Sequence, residues 1–188
     1  MRALIFASLC LGAIFGAPSV RADGVVISAG GLAQACYQAA KAEGVTADAL
    51  HVCETALQYE ELAPHDRAGT LVNQGVLLIR KKAYAEALAG LDEARKLAPD
   101  IPEIAVNRGA ALLGLHRWAE AKAALDLGLG ANPSEPEKAY FNRAEAEEAL
   151  GDLKSAYLDF AKAIEIAPKW DAPRQEIRRY TVQSGSPP

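Results

Sequence analysis

The sequence is poor in aromatic residues and lacks the short motifs that mark many enzymes. Phenylalanine, tryptophan and tyrosine make up 6% of the 188 residues, which is little for an aromatic-rich β-sandwich. No CxxC pair is present, so a thioredoxin-like redox role has no support. No phosphate-binding glycine loop occurs, since Gly128 and Gly130 fall at the end of a predicted helix. The chain is instead 51% hydrophobic and rich in alanine, which suits close helix–helix packing.

The chain also lacks an excess of positive charge. It carries 20 basic and 24 acidic residues, a formal net charge of −4, and its isoelectric point is about 5.5. Nucleic-acid-binding domains typically carry a basic stripe and a high isoelectric point. We therefore predict no nucleic-acid partner.

No apolar run is long enough to span a membrane comfortably. The apolar stretch at 3–17 compares with the roughly 20 residues that a spanning helix needs. It follows Arg2 and precedes Pro18, and small residues occupy the first and last places of 20–22 (VRA). This is the layout of a secretory signal peptide at 1–22, cut after Ala22. We predict export to the periplasm without stable membrane insertion after cleavage, and an uncleaved anchor is the alternative.

Cysteine is rare, with three residues in the chain. Cys10 lies in the predicted leader, where it follows Leu9 and so does not fit a lipoprotein signal. Cys36 and Cys53 are left after cleavage. An oxidising compartment favours a disulfide between them, and two buried free thiols are the alternative.

What the sequence does contain is a repeat. The triplets at 73–75 (NQG), 107–109 (NRG) and 142–144 (NRA) recur at spacings of 34 and 35 residues. Small residues at fixed phases let two antiparallel helices approach closely, and a proline at a fixed phase ends the second helix. Each helical pair leaves an apolar face that a neighbouring pair must bury, so the pattern predicts stacked helical hairpins. The later landmarks that keep the same step are Ala87, Ala121, Ala156, Pro99, Pro133 and Pro168.

From Ala68 onward the pattern resembles the tetratricopeptide repeat (TPR), over about a hundred residues. That family places small residues at positions 8, 20 and 27, larger apolar residues at 17 and 24, and proline at 32. The sequence departs from the family at position 7, where Gln74, Arg108 and Arg143 replace the usual leucine. The matching residues of the three copies are Gly75, Tyr84, Ala87, Leu91, Ala94 and Pro99, then Gly109, Trp118, Ala121, Leu125, Gly128 and Pro133, then Ala144, Leu153, Ala156, Phe160, Ala163 and Pro168.

The resemblance implies an all-α, right-handed solenoid of about four helical hairpins with a C-terminal capping helix. The capping helix should have Ile177 and Tyr180 facing inward. The expected segments are a loose arm at 23–29, a domain at 30–183 with repeats near 30–63 (degenerate), 68–101, 102–136 and 137–170, a long connector at 59–67, the capping helix at 173–183 and a disordered tail at 184–188.

Phasing the degenerate first repeat on Gly44 places Cys36 at position 7 and Cys53 at position 24. In a TPR hairpin these positions lie within about one helical turn of each other. The resemblance therefore favours a Cys36–Cys53 disulfide that ties the terminal repeat together.

In this family the first helix of each repeat lines a concave surface that binds partners. Asparagine occupies position 6 in three repeats, and its carboxamide could hydrogen-bond along the backbone of an extended peptide. Alternatively, each asparagine bonds locally between neighbouring helices, and the sequence supports both readings equally. The ten expected contact residues are Val72, Asn73, Val76, Arg80, Val106, Asn107, Lys138, Phe141, Asn142 and Glu145.

The surface matches only part of the carboxylate clamp with which some TPR domains hold a chaperone's C-terminus. Asn107 and Lys138 occupy their places in that clamp. Val72 and Val76 stand where it has a basic residue and an asparagine, and Asn142 replaces its last basic residue. We therefore do not expect recognition of a C-terminal carboxylate.

Catalysis has no support in the residues. His51, His65 and His116 lie in different repeats or connectors, and His116 replaces a turn glycine as a solvated loop residue. No cluster suggests a metal ion or another cofactor. We predict a non-catalytic interaction module, an adaptor that binds an extended peptide or a partner helix in the cell envelope. The alternatives are a self-associating scaffold, which would be a homo-oligomer, and a non-catalytic regulatory subunit of an envelope enzyme.

Overall fold

The computed structural model describes residues 4–6, 31–42 and 47–183, and for 4–6, 47 and 181–183 it describes the backbone alone. Most of the predicted leader with its cleavage site, the arm at 23–29 and the tail at 184–188 lie outside the described residues. The helices of the described part are α1 (Gly31–Lys41), α2 (Ala47–Tyr59), α3 (Pro64–Arg80), α4 (Tyr84–Leu97), α5 (Pro102–Gly114), α6 (Trp118–Gly130), α7 (Pro136–Ala149), α8 (Leu153–Ile166) and α9 (Asp171–Ile177).

The helices pack as four successive hairpins. α1 pairs with α2, α3 with α4, α5 with α6, and α7 with α8, and each hairpin packs on the next. The first helices α1, α3, α5 and α7 also contact one another in order. The predicted all-α solenoid of about four hairpins is confirmed.

Prolines delimit the helices at both ends. Pro64, Pro102 and Pro136 lie in the first turn of α3, α5 and α7, where the missing N–H leaves no helical hydrogen bond unmade. The second helices α4, α6 and α8 end just before Pro99, Pro133 and Pro168, as predicted. Because α3 begins at Pro64, residues 64–67 belong to this helix and not to the predicted connector.

In the last three hairpins, a residue with a left-handed backbone joins the two helices at position 15. Its φ is 62° at Lys82, 58° at His116 and 85° at Gly151. This region disfavours side chains by about 1 kcal/mol and suits glycine. His116 is exposed, in keeping with a solvated loop residue at a turn that glycine fits better.

Small residues at position 8 bring the paired helices together. A Cβ added at Gly109 would lie 2.9 Å from Leu125 Cδ2, and one added at Gly75 would lie 3.1 Å from Leu91 Cγ. Leu91 and Leu125 are fully buried, so each leucine fills the space that the glycine leaves. The close approach inferred from the sequence is therefore present in the fold.

The disulfide predicted for the terminal hairpin is formed. Cys36 of α1 and Cys53 of α2 are bonded, with their Cα atoms 4.7 Å apart. Both are fully buried and pack with Val76 and Leu77 of α3. The bridge therefore lies under the interface between the first two hairpins, and the alternative of two free thiols does not hold in this structure.

The C-terminal end differs from the prediction. The capping helix α9 spans Asp171–Ile177 and not 173–183, because the chain leaves the helix and forms the strand β2 at Thr181–Gln183. β2 pairs antiparallel with the strand β1 at Leu4–Phe6, within the predicted leader. Tyr180 is buried against Tyr157 and Phe160, so its predicted inward position is confirmed.

Candidate partner-binding surface

Seven of the ten residues predicted to contact a partner have almost no solvent-exposed surface. The three that keep exposure are Arg80, Lys138 and Glu145. The buried seven, each at most 1% exposed, are Val72, Asn73, Val76, Val106, Asn107, Phe141 and Asn142.

The residues at position 5 pack toward the second helix of their own hairpin. Val106 Cγ2 would lie 2.6 Å from a Cβ placed on Gly128 of α6, so the glycine there makes room for the valine. The Phe141 ring lies 5.5 Å from that of Phe160 and 5.0 Å from that of Trp170. These side chains hold hairpins together, a role that the sequence analysis did not give them.

The asparagines at position 6 are buried in all three repeats. Asn107 Nδ2 donates a hydrogen bond to the carbonyl oxygen of Glu103, one turn earlier in the same helix, at 2.9 Å. That bond stabilises α5 and uses one N–H of the Asn107 carboxamide. At this position the local bond is therefore real, and it lies within one helix and not between two.

The charged residues of the predicted surface lie close to other polar groups of the chain. Arg80 Nη1 donates to the carbonyl oxygens of Ala40 and Ala42 at 2.7 and 2.9 Å, so it caps the C-terminal end of α1. Lys138 Nζ lies 2.9 Å from Glu135 Oε1. Burial raises the pKa of Tyr84, and the charge of Glu145 raises it further, so Glu145 sits near α4.

Sequence reasoning missed a set of ion pairs that join neighbouring repeats. Arg108 at position 7 contacts Asp92 at position 25 of the preceding repeat, with Nε and Oδ1 2.7 Å apart. Arg143 and Asp126 repeat this contact one repeat later at 2.8 Å. The signal was the arginine at position 7, noted only as a departure from the family, together with the aspartate at 25.

Arg143 also forms a second ion pair, with Asp159. It donates to both carboxylate oxygens of Asp159, from Nε at 2.6 Å and from Nη2 at 3.0 Å. These hydrogen bonds raise the pKa of Arg143. Burial alone would raise the pKa of Asp126, but hydrogen bonds from Lys122 and Arg143 hold it below its ordinary value. Arg143 and Asp126 are therefore both ionised at neutral pH.

A shallow cavity of about 200 Å³ opens between α5 and α6, away from the predicted contact residues. Its rim includes Leu127, whose side chain is 68% exposed. The lining residues are Arg108, Leu112, Glu120, Ala123, Ala124 and Leu127. Among the described residues, no group of three histidine, cysteine, aspartate or glutamate side chains is placed to hold a metal ion. No helix in that part of the chain is long and apolar enough to cross a membrane.

Neither a protein-family model nor a curated protein sequence matches the chain, but solved structures match its fold. The first TPR domain of human RPAP3 is 28% identical with a TM-score of 0.57, and the match covers 62% of this chain and 90% of that one. The first TPR of Spaghetti (RPAP3), bound to the HSP90 peptide SRMEEVD, is 26% identical with a TM-score of 0.57 and covers 61% and 90%.

MamA of Desulfovibrio magneticus RS-1 has the same fold, with 20% identity, a TM-score of 0.60, and 79% of this chain and 82% of that chain covered. Stacked hairpins in the period of the sequence repeat, with TPR domains as structural neighbours, show that this chain has the tetratricopeptide-repeat fold.

Proposed function

We propose that the protein is a non-catalytic adaptor that binds an extended peptide along the side formed by its first helices. A protein–protein interaction module is the general role that the TPR fold supports, and one neighbouring TPR domain holds a peptide. The observation that carries the proposal is the alignment of Asn73, Asn107 and Asn142 at one position of three first helices that contact one another in order.

The spacing of this row suits an extended backbone. Packed helices lie about 8–10 Å apart, and an extended chain advances about 3.3 Å per residue. One asparagine therefore meets the peptide about every three residues, and the row spans about seven. The three asparagines are fully buried in this structure. Peptide binding therefore requires that their side chains become exposed first.

The peptide would be read along its backbone and not at its C-terminus. Val72 and Val76 replace two polar residues of the carboxylate clamp, so a terminal carboxylate would find less positive charge here. We expect a peptide with an amidated C-terminus to bind as well as the free acid. A peptide ending like the HSP90 peptide should bind weakly.

Export to the periplasm is part of the proposal. The leader-like segment at 1–22 supports it, and so does the Cys36–Cys53 bridge, because structural disulfides persist in oxidising compartments. Periplasmic fractionation of the native cell, with a cytoplasmic enzyme as control, tests this part. Recovery of the full-length chain in the cytoplasm with free thiols would contradict it.

Self-association is the second candidate, and exposed leucines favour it. Leu127 of α6 and Leu158 of α8 expose 68% and 53% of their side chains. Both lie on second helices. A concentration-dependent sedimentation coefficient that Leu127→Gln abolishes would support this candidate, whereas an unchanged monomer would remove it. A regulatory subunit of an envelope enzyme is the third possibility, and co-purification of an enzyme would identify it.

A binding experiment tests the main proposal. Asn142→Leu keeps the side-chain volume but removes the carboxamide, and a lost hydrogen bond of about 1 kcal/mol lowers affinity about fivefold. Binding of a library of amidated ten-residue peptides is measured by fluorescence anisotropy for this variant and the wild type. Leu127→Gln on the other surface is the control. Equal loss in both variants, or no loss in Asn142→Leu, would overturn the proposal.

A further inference from the structure

The fourth repeat differs from its neighbours at two buried positions. Position 11 is Leu78 and Leu112 in the preceding repeats but Glu147 in this one. Position 23 is Gly90 and Ala124 in those repeats but Asp159 here. Glu147 is 4% exposed and Asp159 is 8% exposed, so two buried carboxyl groups stand where the other two repeats have apolar or small residues.

The two carboxyl groups are not neutralised equally. Arg143 holds Asp159 through two hydrogen bonds and also bonds Asp126. Lys122 lies 2.8 Å from Asp126 but 3.7 Å from Glu147 Oε1. Glu147 Oε2 is buried and has no hydrogen-bond partner among the described residues. Of the carboxyl groups in this cluster, Glu147 therefore has the fewest contacts that stabilise its ionised form.

Charged groups face Glu147 from three helices. α6 contributes Lys122 and Asp126, α7 contributes Arg143, and α8 contributes Asp159 with Asp152 just before its first residue. The charged groups of the other packed elements are engaged elsewhere, since Arg108 of α5 pairs with Asp92 and Arg179 after α9 pairs with Glu148 and Glu176. If Glu147 ionises, the cluster has four negative charges and two positive ones.

The pKa of Glu147 is raised to about 7. Burial raises it most and the neighbouring Asp159 raises it as well, while Arg143 and Lys122 lower it. Glu147 is thus protonated in the folded state below neutral pH and ionised above it. Asp126 and Asp152 have pKa values below their ordinary ones, so they do not change charge in this range.

We propose that Glu147 is a proton-linked latch that holds α7 and α8 against α6 when protonated and loosens the last repeat when ionised. The geometry carries this inference: a buried, unpartnered carboxyl oxygen lies at the interface between two repeats, within a cluster that has excess negative charge. In a solenoid each repeat contacts only its neighbours, so the last repeat can loosen while the rest stays folded.

The sign follows from proton linkage. The folded state binds the Glu147 proton more tightly than the opened state, so opening becomes easier as pH rises from about 4.5 to about 7. Above that range the effect is constant. The pKa of Glu147 is about 7 in the folded state, against an ordinary value of 4.5. This difference allows the opening equilibrium constant to rise by up to about 300-fold.

Hydrogen exchange of the full chain between pH 5 and pH 8, corrected for the intrinsic pH dependence of exchange, measures this opening. We expect opening of α7 and α8 to increase at least tenfold with pH in the wild type. In Glu147→Gln, and in Glu147→Leu with the leucine of the other repeats, that pH dependence should disappear. Glu165→Gln, at a side chain 69% exposed, is the control and should behave as wild type.

Two results would overturn the latch. One is the same pH dependence in Glu147→Gln as in the wild type. The other is a pH-dependent loss of protection spread evenly over α3 to α8. The carboxyl carbon chemical shift of Glu147 in the wild type gives an answer that needs no variant. A midpoint near 7 supports the latch, and a midpoint near 4.5 contradicts it.

Discussion

Replacing Gly109 by alanine tests whether the position-8 glycine is there to let two helices touch. An added Cβ would overlap Leu125 Cγ and lie 2.9 and 3.1 Å from its two methyl carbons. Leu125 is fully buried in the core between α5 and α6, so it cannot turn out into solvent. The substitution therefore forces α5 and α6 apart or pushes Leu125 out of its preferred rotamer.

Two opposing effects set the size of the change. Alanine stabilises a helix interior by about 1 kcal/mol relative to glycine, whereas an extra methyl group in a packed core costs about 1–3 kcal/mol. Gly109→Ala should therefore lower the free energy of unfolding by about 1 kcal/mol. At Gly75 the closest atoms are 3.1–3.3 Å away, so the two effects nearly cancel. At Gly90 they are 3.8 Å or more away, so alanine should stabilise by about 1 kcal/mol.

Thermal unfolding of the three variants gives the answer. About 1 kcal/mol corresponds to roughly 2–4 °C in a protein of this size. The expected order of melting temperature is Gly90→Ala highest, Gly75→Ala close to wild type and Gly109→Ala lowest. If Gly109→Ala stabilises as much as Gly90→Ala, close helix approach is not the reason for glycine at this position.

Three further predictions concern the disulfide, one turn and the core of the solenoid. Breaking the Cys36–Cys53 bridge, which closes a loop of 17 residues, should cost about 3 kcal/mol; hydrogen exchange should accelerate in α1 and α2, and a uniform change along the chain would contradict this. His116→Gly relieves a φ of 58° and should raise the melting temperature by about 2 °C, while a decrease would show that its contact with Trp118 matters more. Phe141→Ala should cost about 3–5 kcal/mol in urea unfolding because the ring is fully buried, and a loss below 1 kcal/mol would contradict its place in the core.

The fold could be predicted because its constraints are local and recur. The helices that touch could be predicted from the period of 34 or 35 residues and from the glycine at position 8. The helix ends could be predicted from the proline after each second helix. The cysteine pair followed once its two positions were placed in a hairpin. Close helix approach requires glycine, and a helix end tolerates proline, so these two residue types mark the backbone directly in the sequence.

The candidate surface was harder to predict, for a geometric reason. Successive residues of an α-helix point about 100° apart, so positions 5 and 6 lie at the boundary between the hairpin core and the partner-facing side. Helix crossing angles decide which side of that boundary a residue occupies, and the sequence does not state them. Val106 and Phe141 therefore appeared as contact residues although they pack inside their hairpins.

Long-range polar contacts were hidden for a related reason. Arg143 and Asp159 are 16 residues apart, and their pairing depends on how α7 meets α8. The C-terminal end of α9 also escaped prediction, because residues up to Arg179 continue a helix-compatible pattern. Only the fold shows that the helix ends at Ile177 and that the chain then forms β2.

The most direct test of partner binding is site-specific photo-crosslinking in the native cell. The probe replaces Lys138, a partly exposed residue of the predicted surface, because a bulky probe at the buried Val106 or Phe141 would disturb the core. The control probe replaces Leu127, which is 68% exposed and lies on a second helix. A discrete adduct with another protein from Lys138 alone is the predicted result. Adducts to the protein itself, or equal adducts from Leu127, would contradict peptide binding on the first helices and favour self-association.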